Sequence, residues 1–258
     1  MKHLEDEAYV LRTQELGETD LIVTLLTPRH GRVRGVAKAA RKSRRRFGGV
    51  LEPLTRARAG WTEKEGRELH RLDRLEFERS YATMQAEPLI QAACAVLAEV
   101  SGIFAHEGQA EERSFQLLTA CLDALESGAE PFTVLRYYEY WTLRLHGLFP
   151  DLASCGRCAN PLEAGGPAVV ARQGLLCREC LRTAGEPGRR LDADALEFLA
   201  EARRRAPADV ATRRATGPGG VLETLLRGRL ESFAERAFRS YRHLRTGAGA
   251  GPEGRKDP

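Results

Sequence analysis

Long hydrophobic runs are absent from this chain. No stretch approaches the ~18 apolar residues that a membrane-spanning helix requires. The opening residues, MKHLEDEAYV, carry acids where a signal peptide has a basic segment followed by an apolar one. We therefore expect a cytoplasmic protein with no membrane partner. The 258 residues, 42% hydrophobic and 29% charged, suit a globular chain with one large domain or two or three small ones.

Residues grouped for catalysis are absent as well. Hydrolytic or nuclease chemistry needs clustered carboxylates, a histidine beside a nucleophile, or an open metal site. The six histidines lie scattered at positions 3, 30, 70, 106, 146 and 243, with no ligand spacing among them. No Gly-x-x-x-x-Gly-Lys-Ser/Thr phosphate loop occurs. The sequence favours a non-catalytic protein, and an enzyme is the alternative from another class.

Acidic residues are scarce in one segment. Residues 28–58 hold 11 Lys and Arg against a single acid, Glu52, whereas residues 81–150 hold 3 basic and 9 acidic residues. A concentrated basic segment indicates a polyanionic partner, and nucleic acid is the commonest one. A solvated run of charge is the alternative. We expect the arginines of this segment to contact the ligand and Phe47 to be a core residue.

The first third of the chain is rich in β-forming residues. Five such segments, bounded by Gly, Pro or Asp turns, lie at residues 9–13, 20–27, 31–37, 50–61 and 67–78. Five strands in so short a stretch predict a small barrel. The OB-fold, which commonly binds oligonucleotides, is the natural candidate, although an SH3-like barrel would give a similar pattern.

Helical spacing replaces this pattern farther along the chain. Apolar residues recur every three or four positions in segments 88–105, 112–126, 130–148, 193–205 and 219–244. The last segment predicts one long helix that packs back on the others. The tail 246–258 offers nothing to bury, and we expect it to be disordered.

Six cysteines fall into two groups. Cys94 and Cys121 lie on apolar helix faces, where small core residues are expected. The other four form two Cys-x-x-Cys pairs separated by 18 residues, Cys155–Cys158 and Cys177–Cys180. This spacing is typical of a zinc site in which two tight turns each offer two thiolates. Disulfides or a redox pair are the alternatives, and a reducing compartment disfavours disulfides.

We predict one structural zinc per chain, because four cysteine ligands leave the metal no open position for catalysis. Gly156 is expected to relax the first turn, and the apolar residues of 169–176 to form strands between the pairs. The predicted fold class is α+β and multidomain. Its parts are an N-terminal five-stranded OB-fold barrel (1–80), a helical bundle domain (81–150 and 183–245), an inserted four-cysteine zinc-knuckle module (151–182) and the tail.

Four short motifs occur in order within residues 8–54. They are Gly-Glu-Thr-Asp at 17–20, Leu-Thr-x-x-x-Gly at 26–31, Val-Ala-Lys at 36–38 and Arg-Phe at 46–47. In this combination they resemble the N-terminal region of the RecO family of bacterial recombination mediators. The resemblance extends through the helical middle and the cysteine module, which indicates a zinc-bearing branch. One departure is Ala39, where the family is expected to prefer glycine.

The resemblance implies a recombination mediator of DNA repair, cytoplasmic and associated with the nucleoid. Such proteins bind single- and double-stranded DNA, anneal complementary strands, and act with RecR to help load RecA on strands coated with single-strand-binding protein. The pocket for the acidic tail of single-strand-binding protein lies in the helical part of relatives. By residue match, DNA contact is expected at Arg34, Lys38, Arg41, Lys42, Arg44, Arg45 and Arg46. A zinc-ribbon RNA-binding or transcription-associated protein is the alternative.

Overall fold

The structure is a computed structural model that describes residues 2–41, 47, 49–63, 66, 69–162, 168–170, 174–185 and 187–247. The chain divides into two compact units, Met1–Leu122 and Asp123–Pro258. The limits predicted for the domains stay a prediction, and the predicted tail lies outside the described residues from residue 248 onward. Among the residues described, no helix is long and apolar enough to cross a membrane.

Five strands of the first unit close into a barrel. They are β1 (Lys2–Leu16), β2 (Asp20–Thr27), β3 (Gly31–Ala37), β4 (Arg56–Glu63) and β5 (His70–Arg79). Their order around the barrel is β1-β2-β3-β5-β4, with β4 pairing back to β1 and β3 running parallel to β5. The predicted five-stranded barrel of the OB type is confirmed.

The barrel interior is filled by alternate residues of its strands, since successive side chains of a strand point to opposite faces. In β3, Val33 and Ala37 are buried, whereas Arg34 between them is only partly buried. Phe47 is 2% exposed and belongs to the same core, as predicted. Other members are Ala8, Val10, Val23, Leu25, Val50, Ala57, Trp61, Leu72 and Leu75.

The sequence pattern predicts that the fourth strand begins at residue 50, but in the structure it begins at Arg56. Pro53 has no N–H to donate to a neighbouring strand, and Leu54 has a φ of 63°, which is left-handed. The Leu54 N–H donates to the Val10 carbonyl at 2.6 Å, and the Val10 N–H donates to the Thr55 carbonyl at 3.0 Å. These bonds hold residues before Arg56 as a turn against β1.

Two helices pack on the outside of β1 and β2 in this unit. They are α1 (Pro88–Phe104) and α2 (Glu112–Glu126), close to their predicted limits. The Tyr9 ring lies 4.9 Å from the Phe115 ring, and its hydroxyl lies 3.0 Å from Thr119 Oγ1. Apolar residues of β1 that point away from the barrel interior are therefore covered by helix.

Gly31 lies where the β2–β3 turn meets the loop between α1 and α2. Its φ is +64°, and a Cβ there would overlap the His106 carbonyl oxygen and lie 2.5 Å from the Gln109 carbonyl oxygen. The adjacent Arg32 N–H donates to the same His106 oxygen at 2.9 Å. Both the conformation and the space at this position therefore require glycine.

The second unit combines helices with a small sheet. Its helices are α3 (Pro131–Leu145), α4 (Arg178–Arg182), α5 (Ala193–Ala202), α6 (Val221–Ala234) and α7 (Tyr241–Gly247). Strands β6 (Ala168–Val170), β7 (Gly174–Leu176) and β8 (Arg189–Arg190) pair antiparallel in the order β7-β6-β8. Helix α6 packs against α3, β6 and β7. The strands expected between the cysteine pairs are thus present.

The single helix predicted over 219–244 is wrong, because the chain forms α6 and α7 with a break between them. Glu235 ends α6 in the left-handed conformation, with a φ of 53°. Burial departs from the helical spacing at this point: Leu230 is buried, Phe233 three residues later is 48% exposed, and burial resumes at Phe238. A continuous helix would carry Phe238 off the buried face, and the break returns it to the core.

A hydrogen bond from Tyr241 to a buried ion pair within α3 joins α7 to α3. Arg136 Nη2 lies 2.8 Å from Glu139 Oε1, and the Tyr241 hydroxyl donates to the same oxygen at 2.7 Å. Burial raises the pKa of Glu139 to about 7, against the opposing effect of Arg136. A buried carboxylate is costly without partners, so removing either neighbour would leave an uncompensated polar group.

Replacing Gly31 with alanine should destabilise the protein by about 3 kcal/mol or more, because a left-handed backbone and a steric overlap act together. The temperature of thermal unfolding, followed by circular dichroism, should fall by at least about 5 °C. Gly49→Ala is the matched control, since Gly49 has a φ of +69° and nothing within 4 Å of its would-be Cβ. Equal losses at the two positions would contradict the close packing around Gly31.

Candidate metal centre and nucleic-acid interface

Four cysteine thiols converge in the second unit. The Sγ atoms of Cys155, Cys158, Cys177 and Cys180 lie within 4.8 Å of one another. Cys158 Sγ is 3.8 Å from Cys177 Sγ. A tetrahedron of sulfurs with metal–sulfur bonds of ~2.3 Å has edges of about 3.8 Å. The four thiols that the sequence spacing pairs are therefore able to bind one metal ion.

The first cysteine pair lies on a tight turn. The Cys155 N–H donates to the Asn160 carbonyl at 2.9 Å, and the Ala159 N–H donates to the Cys155 carbonyl at 2.9 Å. Ala159 is left-handed, with a φ of 58°, so it reverses the chain where Gly156 was expected to do so. The Gly156 N–H instead donates to the Leu175 carbonyl at 2.8 Å and joins this turn to β7.

The second pair lies at the start of α4. Cys177 is the N-cap residue, and its Sγ accepts a hydrogen bond from the Cys180 N–H at 3.5 Å. Residues three apart on a helical turn present their side chains on one face, so both thiols point the same way. Arg157 Nη1 donates to Thr183 Oγ1 at 2.8 Å and connects the two turns.

The electrostatics of the four thiols favour a bound cation. Burial raises the pKa of the Cys155 thiol, but hydrogen bonds from the backbone N–H groups of Cys177, Cys158 and Arg157 outweigh it and lower the pKa to about 6. Burial, together with the neighbouring sulfurs, raises the pKa of Cys180 to about 12. One thiolate forms readily here, and further thiolates repel it. A divalent cation would stabilise all of them together.

Among the residues that the structure describes, the apolar cluster around the cysteines is small. Its buried members are Cys155, Val170 and Leu176, and Leu162 and Leu181 are partly buried against them. Segments shorter than about 40 residues rarely fold on so small a core without a metal, disulfide or other support. The donor set fits a structural metal, since four sulfurs would complete a tetrahedral shell.

The residues predicted to contact DNA are only partly described. Lys42, Arg44, Arg45 and Arg46 lie outside the described residues, whereas Arg34, Lys38 and Arg41 lie within them. Lys38 is exposed just beyond the end of β3. The Arg41 guanidinium lies 3.4 Å from the Glu15 carboxylate and donates to the Glu18 carbonyl at 3.3 Å.

Arg34 shares the outer face of the barrel with residues of β1 and β2. The sheet register places Arg12, Thr24 and Arg34 side by side, and Gln14, Ile22 and Val36 in the next row. These six residues, here called the β1–β3 face, are all exposed or partly buried. Within the described part of the chain, neither Arg12 nor Arg34 has an ion-pair partner. The face therefore offers two uncompensated guanidinium groups beside two apolar side chains.

Strands β1, β4 and β5 present a different outer face. Arg58 Nη1 lies 3.6 Å from Glu5 Oε1, and Arg56 Nη2 lies 2.6 Å from Glu7 Oε2. Arg74 also pairs with Glu5. Carboxylates offset the positive charge on this side, so a polyanion is attracted more strongly to the β1–β3 face.

Comparisons with known proteins agree with this geometry. Two family models match the chain, "Recombination protein O N terminal" over residues 1–81 and "Recombination protein O C terminal" over residues 87–234. The chain belongs to the RecO family. The resemblance predicted from the motifs of residues 8–54 is confirmed, and as a RecO-family member the chain is a DNA repair protein.

Curated relatives named DNA repair protein RecO match most of the chain. That of Anaeromyxobacter sp. (strain K) is 40% identical over 173 residues, which are 66% of this chain and 68% of the relative. That of Koribacter versatilis (strain Ellin345) is 38% identical over 180 residues, 70% of this chain and 73% of the relative. That of Thermobifida fusca (strain YX) is 37% identical over 188 residues, which are 72% of this chain and 76% of the relative. The β1–β3 face lies in the N-terminal RecO match, and the four cysteines lie in the C-terminal one.

Arg12 is the residue of the β1–β3 face that the sequence pattern does not indicate. Strict alternation would place Arg12 in phase with Ala8 and Val10, which face the barrel interior. The pairing of β1 with β2 shifts between Val10 and Arg12, so Leu11 is an extra residue and Arg12 turns outward. The sequence does contain one signal of this shift. Arg12 is in phase with core residues, and because an unpaired charge is not buried in a barrel, the alternation must change before it.

Cys94 and Cys121 are buried in helices, as predicted, and neither belongs to the thiol cluster. They are 2% and 0% exposed. Burial raises the pKa of Cys94 to about 12 and that of Cys121 well above its usual value. Both therefore stay protonated and act as small core residues.

A groove of about 600 Å³ lies between α3 and α5 in the second unit. Its lining includes Tyr140, Arg144, Phe149, Leu152, Leu196 and Arg203. The Arg144 guanidinium lies 5.8 Å from the centre of the Tyr140 ring, and Leu196 is 39% exposed. The groove thus combines apolar and aromatic side chains with two arginines.

Proposed function

We propose that this chain is a non-catalytic recombination mediator. It binds single- and double-stranded DNA, anneals complementary strands, and acts with RecR to help load RecA on strands coated with single-strand-binding protein. The proposal rests on membership of the RecO family and on one observation, the uncompensated positive charge of the β1–β3 face. The site of action would be the nucleoid, in the cytoplasm.

The β1–β3 face suits a nucleic-acid strand held without sequence preference. Arg12 and Arg34, which lie side by side with Thr24 on this face, would contact phosphates, which carry no sequence information. Ile22 and Val36 in the adjacent row offer an apolar surface to the bases. OB-folds bind oligonucleotides on the corresponding strands, so the position on the barrel is also the expected one.

Lys38 and Arg41 would extend this surface beyond the end of β3. The predicted contacts Lys42, Arg44, Arg45 and Arg46 follow directly along the chain. Together these residues would neutralise several phosphates and release their counterions, which makes binding strongly salt-dependent. Annealing needs no bond-forming chemistry: two strands held with neutralised phosphates and free base edges can pair. A protein with this surface requires no catalytic group.

We further propose that the metal bound by Cys155, Cys158, Cys177 and Cys180 is one structural zinc ion. Thiolates prefer zinc among the common non-redox cations, and the 3.8 Å separation of Cys158 and Cys177 Sγ fits its tetrahedral shell. Zinc would hold the two turns together in place of a larger apolar core. When bound, it supplies structure and no open position for a reacting water.

The groove between α3 and α5 is our candidate for the tail of single-strand-binding protein. An acidic peptide that ends in an apolar residue would place its carboxylates near Arg144 and Arg203 and its last side chain among the apolar lining residues. Both features are required, because charge alone would not distinguish such a tail from any anion.

An RNA-binding role is the second candidate, because phosphate contacts on the β1–β3 face would not distinguish ribose from deoxyribose. Recognition of RNA over DNA depends on contacts to the 2′-hydroxyl. Competition between DNA and RNA oligonucleotides of the same sequence separates the two functions. We expect DNA to compete at least as well as RNA, and complementary DNA strands to anneal faster when the protein is present.

The double variant Arg12→Ala/Arg34→Ala should weaken binding of a labelled single-stranded oligonucleotide by about tenfold or more. Each lost phosphate contact should lower the slope of log affinity against log salt by about 0.7, so the pair should lower it by about 1.4. Thermal stability should change little, because both residues are solvent-accessible.

The control for this variant is Arg58→Ala/Arg74→Ala, which removes the same charge from the ion-paired face. We expect a much smaller loss of affinity and of salt slope, since carboxylates already hold these groups. Equal losses in the two double variants would show that net charge, and not the β1–β3 face, determines binding.

Freshly purified protein, never exposed to a chelator, should contain about one zinc ion per chain by elemental analysis. Cys177→Ser should release the metal and lower the unfolding temperature, because metal binding contributes directly to folding. Cys121→Ala, which removes a thiol outside the cluster, should retain the zinc. A metal-free wild-type protein would contradict the assignment.

Leu196→Asp and Arg203→Ala should each weaken binding of a labelled acidic peptide with an apolar C-terminal residue, by about tenfold, as measured by fluorescence anisotropy. Phe233→Asp is the control, because it adds the same charge at an exposed apolar residue on another helix. The groove would not be the binding site if all three variants bound the peptide as the wild type does.

A further inference from the structure

A carboxylate lies against the basic segment that the proposed function assigns to DNA. Asp20 Oδ1 accepts the Ala39 N–H at 2.8 Å and the Thr19 hydroxyl at 2.9 Å. The bonds from Ala39 and Thr19, with the nearby Lys38 ammonium, hold the pKa of Asp20 below its usual value. Asp20 is thus charged at neutral pH, and its charge by itself repels phosphate.

The residue that Asp20 holds is in an unusual conformation. Ala39 has a φ of 56°, in the left-handed region. Left-handed backbone is unfavourable for a residue with a Cβ, and glycine is the residue that adopts it freely. Ala39 lies between Lys38 and Arg41, both predicted DNA contacts. A different φ here would turn the following chain, and the cations on it, in another direction.

A second contact ties the same segment to the β1–β2 turn. The Arg41 N–H donates to the Thr19 carbonyl at 3.1 Å. Ala40 between the two contacts is 9% exposed and belongs to the barrel core. The backbone of 39–41 is therefore fixed on one side by the core and on the other by Thr19 and Asp20.

We propose that Asp20 is a positioning residue for nucleic-acid binding: its carboxylate holds the Ala39 turn, and this turn keeps Lys38 and Arg41 beside the end of β3. This inference rests on the proposed function. The Gly-Glu-Thr-Asp motif at 17–20 would then serve to hold the backbone of the basic segment in place. This role would explain why a negatively charged residue lies within a surface proposed to bind DNA.

Charge and positioning predict effects of opposite sign. If Asp20 acted only through its charge, any substitution that removes the carboxylate would raise the affinity for DNA. If Asp20 positions the turn, its replacement by alanine lowers the affinity even though the protein becomes more positive. Asn at this position removes the charge and keeps an oxygen that accepts the Ala39 N–H.

The experiment measures affinity and salt slope for a single-stranded oligonucleotide with Asp20→Ala, Asp20→Asn and Glu18→Gln in the full chain. Asp20→Ala should bind about fivefold or more weakly than Asp20→Asn and show a lower salt slope, by about 0.7 for each cation turned away. Glu18→Gln carries the same charge change in the same turn and keeps the Asp20 contact. It should bind like Asp20→Asn.

Two further variants test the turn itself. Asp20→Ala/Ala39→Gly should recover most of the lost affinity, because glycine adopts the left-handed conformation without the carboxylate. Ala39→Val keeps Asp20 and should weaken binding, since a β-branched residue resists this conformation. Ala39→Val also provides the decisive measurement if Asp20→Ala fails to fold.

Equal affinities for Asp20→Ala and Asp20→Asn, or wild-type affinity in Ala39→Val, would overturn the positioning role. Failure of the proposed function looks different. In that case Arg12→Ala/Arg34→Ala would bind DNA as the wild type does, whatever the Asp20 variants show.

Discussion

One extra residue in β1 determines which side chains the barrel presents on its β1–β3 face. Before Leu11, the strand points Ala8 and Val10 inward and Tyr9 outward, beneath α2. After it, the pairing register has shifted by one, and Arg12 faces outward in line with Thr24 and Arg34. Without this bulge, Arg12 would point into the core and the strand could not continue in the barrel. The residues that pack against α2 and the arginine of the β1–β3 face thus lie on a single strand.

The distribution of charge on the barrel follows from the same arrangement. The side formed by β1, β4 and β5 pairs arginines with Glu5, Glu7 and Glu78, and these pairs are partly exposed. Surface ion pairs of this kind contribute little to stability, about 0–1 kcal/mol each. Their larger effect is to cancel the field on that side, which leaves the β1–β3 face as the more attractive surface for a polyanion.

Local patterns in the sequence predicted much of the fold and one of the two sites. Cysteine spacing identified all four thiols of the cluster, because each Cys-x-x-Cys pair forms within one turn. Strand and helix segments followed from side-chain periodicity. The bulge at Leu11 and the turn before Arg56 were missed, because contacts distant in sequence hold the chain there. The break at Glu235 was missed because the helical spacing of apolar residues continues across it. Arg12 was missed with them, since its face depends on the bulge.

An alanine occupies a left-handed position in each candidate site, Ala39 beside the basic segment and Ala159 in the first cysteine turn. Each costs about 1–2 kcal/mol relative to an ordinary conformation, so something nearby must offset it. At Ala39 the compensation is the Asp20 carboxylate. At Ala159 it is the bond to the Cys155 carbonyl and, on our proposal, the metal that joins the two turns. A strained backbone conformation persists where several surrounding contacts hold it in place. In both candidate sites the contacts that relieve the strain also fix the backbone beside the residues that we propose to bind, so the proposed binding geometry and the local stability depend on the same contacts.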